Sequence, residues 1–197
     1  DKRHTVPFGC GATVFYNYAD FRFENPLDQA VMIRALPARY PQVEPVDDMK
    51  PWNDDFADAM RNAFEAHGGN LQVRTIFAEA LLNRTPWKMW DLKLGKPAKG
   101  ASTEEARKVL EEAMDKDPAA MSHPGILHLY VHLMEMSPFP EKALKAGDAL
   151  RTIVPDSGHL IHMSTHIDVL FGHYQDVVHW NETAVKADLK YWRDKGP

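Results

Sequence analysis

The sequence contains a single cysteine, no long apolar run and no basic block. Cys10 alone excludes a disulfide scaffold and any zinc site built on cysteine ligands. No apolar stretch approaches the roughly 18 residues of a membrane-spanning helix, so we expect no membrane partner. Lysine and arginine number 23 against 28 aspartates and glutamates, a net charge of −5. This acidic balance argues against nucleic acid as the main partner.

The remaining composition is that of an ordinary globular domain. The chain has 197 residues, of which 44% are hydrophobic and 26% are charged, and this length is enough to bury one sizeable core. Because a lone cysteine weakly indicates a reducing compartment, we expect a cytoplasmic protein. The chain starts at Asp1-Lys2-Arg3 without an initiator methionine, which is consistent with removal of an earlier targeting segment.

Histidine is the residue type in excess. The chain has ten histidines, and eight of them fall within a window of 57 residues: His123, His128, His132, His159, His162, His166, His173 and His179. A single histidine on a helix is usually an ordinary surface or core residue. A cluster of this density is a candidate metal site, because imidazole is a good ligand for zinc, copper, iron and nickel.

The chain divides into an irregular beginning and a helical remainder. We interpret residues 1–51 as an irregular N-terminal segment, or as a remnant of preceding repeats. Within it, apolar spacing predicts a helix over 27–40, which Pro37 should end or kink. Beyond it, apolar spacing and breaks at proline and glycine predict helices at about 53–67, 71–83, 103–117, 122–136, 140–153, 158–171 and 173–190. Asn53 is the expected cap of the first of these.

Two His-x-x-x-His pairs recur at a fixed interval. His128 and His132 form the first pair, and His162 and His166 follow 34 residues later. This is the length of the tetratricopeptide repeat, a helix-turn-helix unit. The interval therefore indicates that the two pairs occupy equivalent positions in consecutive repeats.

Small residues and prolines support the same register. In such repeats small residues are expected at positions 20 and 27 and proline at position 32, and Ala106, Ala113 and Pro118 occupy these positions. Ala143 and Pro155 occupy positions 20 and 32 of the next unit. We therefore predict an all-α fold over 52–197, a tetratricopeptide-like superhelix (α-solenoid) of antiparallel helix pairs.

Three local motifs carry a family resemblance. They are Ala-Leu-Leu-Asn-Arg-Thr-Pro-Trp at 80–87, His-Pro-Gly at 123–125 followed by His128 and His132, and His159 followed by His-Met-Ser-Thr-His at 162–166. With them, residues 52–197 resemble an uncharacterised family of tetratricopeptide-repeat proteins with histidine-rich repeat helices. The resemblance implies a superhelical fold and no particular activity, because one fold hosts many functions.

The repeat register places the candidate ligands on one surface. In tetratricopeptide repeats, positions 2, 5, 9 and 12 of the first helix line a concave groove, and six ligand-type residues map there: His128, His132, His162, His166, Glu135 and His159. Residues four apart share a helix face, so each histidine pair is a two-nitrogen clamp. Neighbouring helices about 8–10 Å apart would bring both pairs to a shared ion. Glu135 would add a carboxylate or orient an imidazole.

This groove predicts a metal-dependent enzyme acting on a small molecule. Imidazole ligands without cysteine favour copper or iron, with zinc also compatible, and six ligands are enough for one or two ions. We therefore favour an oxidoreductase over a hydrolase. The alternatives are a non-enzymatic scaffold that binds a peptide or protein partner, and a structural or storage metal site. Peptide-binding grooves usually present lysine, arginine and asparagine at these positions, so histidine and glutamate favour metal.

Other residues are weaker candidates. In the long loop at 85–102, Trp87, Met89 and Trp90 either cover the groove or fill the core. Glu79 is placed to reach the groove from the preceding repeat. His173 and His179 are expected to face away from it. Because the terminal repeats lack an obvious polar cap, they would expose apolar surface, which makes a homo-oligomer a further expectation.

Overall fold

The computed structural model describes residues 26–44 and 46–195, so the first 25 residues of the predicted irregular segment lie outside the described part. Eight α-helices occupy the described ranges: α1 (Pro26–Arg39), α2 (Lys50–His67), α3 (Leu71–Leu82), α4 (Thr103–Lys116), α5 (Pro124–Met134), α6 (Leu144–Ile153), α7 (Gly158–Leu170) and α8 (Tyr174–Lys195). The predicted all-α class is confirmed. None of these helices combines the length and the apolar character that a bilayer-spanning segment needs.

Helix packing follows a simple rule along the chain. Each helix contacts the next one, and the odd-numbered helices α1, α3, α5 and α7 also contact one another in succession. Most of the buried apolar side chains belong to one core cluster. In α5 every residue from Gly125 to Met134 is buried. The packing therefore places α5 between α3 and α7 and brings the two helices with paired histidines side by side.

The helices α3 and α5 begin at side chains that cap their first backbone N–H groups, whereas α2 does not begin at its predicted cap. The Asn70 side chain accepts hydrogen bonds from the backbone at the start of α3, and His123 Nδ1 accepts one from Ile126 N at the start of α5. The predicted cap at Asn53 is wrong, because α2 already begins at Lys50. Asn53 Nδ2 instead donates to the Asn83 carbonyl at 3.0 Å, so this side chain joins α2 to the end of α3.

The predicted long loop before α4 contains a small hairpin. Its strands are β1 (Trp90–Asp91) and β2 (Lys96–Pro97), which pair antiparallel, and Gly95 has the positive φ that the tight turn requires. Met89 and Trp90 are buried in the core, and Trp90 Nε1 donates to the Leu133 carbonyl at 2.6 Å. For these two residues the structure therefore supports the core-filling alternative.

The last helix leaves an apolar face exposed. Tyr174, Val178, Val185, Leu189 and Trp192 lie on one side of α8 and are each more than half exposed. The terminal repeats of solenoid proteins typically have a polar outer face, whereas this side of α8 is apolar. The homo-oligomer stays a prediction.

One glycine allows α5 to pack closely against α3. A Cβ atom added at Gly125 would lie 2.6 Å from Thr75 Cγ2, and Thr75 is itself buried in α3. Because Thr75 is short and surrounded, it has little room to move away. Any larger residue at position 125 therefore has to push the two helices apart.

We expect Gly125→Ala to lower the free energy of unfolding by about 1–3 kcal/mol, because it overpacks the α3–α5 contact. Urea denaturation measures this change. Gly69→Ala is the matched control, since a Cβ there meets no atom within 4 Å, and its change should stay within about 0.5 kcal/mol. Equal unfolding midpoints for the two variants would contradict the close contact.

Candidate metal centre

Five imidazoles from α5 and α7 form one histidine cluster. His128 and His132 lie one turn apart on α5, and His159, His162 and His166 follow one another along α7. The ring centroids form a closed circuit, with separations of 4.6 Å for His128–His132, 5.6 Å for His132–His166, 4.8 Å for His166–His162, 6.4 Å for His162–His159 and 5.1 Å for His159–His128. The contact between α5 and α7 thus joins the two predicted pairs.

Three members of the cluster have the spacing of a metal site. One ligand nitrogen from each of His128, His132 and His159 lies within 4.8 Å of the others, and the Nε2 atoms of His128 and His159 are 3.1 Å apart. Two nitrogens bound to one ion at about 2.0–2.1 Å lie about 2.9–3.4 Å from each other. These three histidines could therefore hold a metal ion.

Burial keeps part of this group neutral. His128 is only 1% exposed, and burial, with the neighbouring histidines, places its pKa well below the usual value. Burial also lowers the pKa of His159 to about 4, again with a contribution from neighbouring histidines. Both side chains are consequently neutral at pH 7 and each carries a nitrogen lone pair, which is the form that binds metal.

Glu135 links the two helices through their histidines. Its carboxylate accepts a hydrogen bond of 3.0 Å from His132 Nδ1 and a second from His166 Nδ1. Burial alone would raise the pKa of this carboxyl, but the two hydrogen bonds, together with charge interactions with the same two histidines, outweigh burial and hold the pKa at about 2. Because an ionised carboxylate only accepts, both Nδ1 atoms donate. The sequence predicts that Glu135 either binds the metal itself or orients an imidazole, and these contacts show that it orients two imidazoles.

Asn181, on α8, orients a third imidazole. Its Nδ2 donates to the Val177 carbonyl at 2.8 Å, which fixes the orientation of the amide because a carbonyl only accepts. The amide oxygen therefore faces His162 Nδ1, 2.7 Å away, and this nitrogen donates. The sequence contains no signal for this role, since nothing local to Asn181 shows which helix packs against it.

Trp87 lies beside the cluster. It is 50% exposed, and its ring meets the His132 ring edge-on at a centroid distance of 5.6 Å. Its backbone has φ of +61°, a left-handed conformation that is costly for a bulky residue and is held by its surroundings. Of the three loop residues, Trp87 is thus the one that borders the candidate site.

The remaining candidates lie away from these contacts. Glu79 is close to Arg39 and accepts a hydrogen bond from Asn83, and burial raises its pKa to about 7 in spite of both. His173 Nδ1 is 3.8 Å from Asp168, and the His179 ring packs against Trp180. These contacts involve no member of the histidine cluster.

The structure therefore brings the six predicted ligand residues together, with a division that the sequence did not show. His128, His132 and His159 form the three-nitrogen group. His162 and His166 face each other, and Glu135 contacts one histidine of each set. The sharing of one ion by His128, His132, His162 and His166 stays a prediction.

No protein-family model, curated protein or solved structure matches this chain. The resemblance to histidine-rich tetratricopeptide-repeat proteins accordingly stays an expectation.

The raised pKa of Glu79 predicts a pH-dependent stability. A carboxyl that binds its proton more tightly in the folded state makes folding less favourable as pH rises from about 4.5 to about 7. Glu79→Gln removes this titration. We therefore expect the free energy of unfolding of the variant, minus that of the wild type, to increase by up to about 3 kcal/mol as pH rises over this range. Urea denaturation at stepped pH measures the difference.

Glu65→Gln is the control for this experiment because Glu65 is exposed on α2. Its stability profile should run parallel to that of the wild type. A parallel profile for Glu79→Gln as well would contradict the raised pKa.

Proposed function

We propose that this protein is a metal-dependent enzyme built on a tetratricopeptide-like α-solenoid. The observation that carries the proposal is the group formed by His128, His132 and His159, whose ligand nitrogens lie within 4.8 Å of one another. The successive contacts of α1, α3, α5 and α7 support the solenoid, because the first helices of consecutive repeats would pack in this order. A cytoplasmic location and membership of the histidine-rich repeat family belong to the same proposal.

The ligand chemistry favours a transition metal. All three residues supply imidazole nitrogen, which suits copper, iron and zinc, whereas magnesium and calcium prefer oxygen. The nearest carboxylate, Glu135, already accepts hydrogen bonds from two histidines. Neutral nitrogen ligands without thiolate favour copper or iron, and for this reason we propose an oxidoreductase rather than a hydrolase.

The number and exposure of the ligands favour catalysis over a structural role. Structural zinc sites close with four protein ligands, while catalytic sites commonly have three and leave a position for water or substrate. His128 and His132 are buried, but His159, His162 and His166 are partly exposed, so solvent reaches the cluster on its α7 side. An ion there would activate dioxygen or water, or polarise a substrate carbonyl.

Two alternatives make different demands on the same residues. A storage or structural site would bind the metal as tightly but show no turnover. A scaffold for a peptide or protein partner would use the groove without metal. The mutual proximity of three imidazole nitrogens favours metal over a peptide, because extended peptides offer few partners for a compact all-imidazole group.

Metal content tests the proposal directly. We expect purified wild-type protein to retain copper, iron or zinc after gel filtration, as measured by elemental analysis. The double variant His128→Ala, His159→Ala should lose affinity at the three-histidine group by more than the roughly 10–100-fold that removal of an outer hydrogen-bond partner costs. His179→Ala is the matched control, since this exposed histidine lies outside the cluster.

Activity is then measured on the loaded protein, by oxygen uptake with small reducing substrates and by hydrolysis of activated esters. Turnover that depends on metal and disappears in the double variant supports the enzyme. Wild-type protein that binds none of the three metals in titration would contradict the proposal. Tight binding without turnover would point to storage or structure instead.

A further inference from the structure

The remaining two imidazoles of the cluster face each other. The Nε2 atoms of His162 and His166, one turn apart on α7, are 3.0 Å from each other. Neither residue belongs to the three-histidine group. Their separation nevertheless falls within the spacing of about 2.9–3.4 Å for two nitrogens that share one ion.

The outer nitrogens of this pair are both engaged as donors. His162 Nδ1 donates to the oxygen of Asn181, whose orientation the Val177 carbonyl fixes. His166 Nδ1 donates to the Glu135 carboxylate. A neutral imidazole has only one N–H. In the neutral form of both rings, which is the form that binds metal, each Nε2 atom is therefore an acceptor and presents a lone pair to the other.

Two lone pairs at this distance repel each other, so either a proton or a metal ion lies between the two nitrogens. The supporting contacts resemble those of a built ligand set, because metal-binding histidines typically donate their second nitrogen to a carboxylate or carbonyl oxygen. Asn181 and Glu135 come from two different elements, α8 and the end of α5. Both acceptors therefore hold imidazoles of α7 from outside that helix.

We propose that His162 and His166 hold a second transition-metal ion beside the ion at His128, His132 and His159. The cluster is then a two-ion centre for divalent metals that prefer imidazole. The assignment rests on the proposed function only for the first ion. With two protein nitrogens, the second position keeps more sites for water or substrate than the first, which is useful where two ions act on one small molecule.

Glu135 is the positioning residue that joins the two positions. One carboxylate oxygen accepts from His132 of the first group and the other from His166 of the second pair. A glutamine replaces one of these two oxygens with an NH2 group, which donates and so cannot accept from the Nδ1 donor that faces it. The centre therefore depends on a carboxylate at this point for both positions at once.

The experiment counts ions per chain. Wild-type protein is titrated with Zn²⁺ and, separately, with Cu²⁺ by calorimetry, and bound metal is measured after gel filtration. We expect two ions in the wild type and one in each of two double variants, His162→Ala with His166→Ala and His128→Ala with His159→Ala. The control, His173→Ala with His179→Ala, should keep two.

Asn181→Ala gives a finer test. It removes the nearer partner of His162 Nδ1 and leaves Thr165 Oγ1, which lies 3.3 Å from that nitrogen. Affinity at the second position should therefore fall by up to about 10–100-fold while the first position keeps its affinity. Circular dichroism checks that each variant keeps its helix content. Where an alanine pair does not fold, His162→Gln with His166→Gln replaces it, because glutamine keeps polarity and much of the volume.

Three outcomes would overturn the second position. In the first, the wild type binds one ion, and the variant without His162 and His166 still binds it. This result leaves the proposed function intact and indicates that a proton joins the two imidazoles. One ion that disappears in both double variants indicates a single ion shared by the whole cluster. No bound ion in the wild type overturns the second position together with the proposed function.

Discussion

The candidate centre depends on one carboxylate between two helices. Glu135 stands at the end of α5 and accepts hydrogen bonds from an imidazole of its own helix and from one of α7. These bonds stabilise a largely buried negative charge, and they also determine which nitrogen of each imidazole carries the proton. The inner nitrogens then face the centre of the cluster as acceptors. Without this contact, the two helices would still pack, but the direction of the lone pairs would be undetermined.

The surroundings of the cluster explain why two of its imidazoles stay neutral. α5 is buried along its length, so its histidines occupy positions where an apolar residue would pack with less loss of hydration. Natural sequences depart from the most stable choice mainly at functional sites. Neighbouring imidazoles also disfavour one another's charged forms, as the lowered pKa values of His128 and His159 reflect. Several buried, uncharged imidazoles that carry lone pairs are consistent with a metal centre. In a purely structural core, burying these polar groups would cost folding free energy.

Sequence reasoning succeeded where the information was local. Periodic apolar residues and breaks at proline and glycine predicted helices that the structure has within a few residues, and the four-residue spacing predicted that His128 and His132 share a face. It failed at Asn53, because a residue with good capping chemistry joins two helices instead. It also missed Asn181, since the role of that residue arises only when α8 packs back onto α7.

The sequence by itself determined the all-α class, the pairing of histidines on helix faces and the set of six ligand-type residues. An α-helix has 3.6 residues per turn, so spacing alone places such residues on one side. Only the tertiary structure decided which imidazoles meet, which Nδ1 atoms donate, and that Trp87 borders the site while Trp90 enters the core. These choices depend on distances between helices, which the packing of α7 against α5 and of α8 against α7 sets.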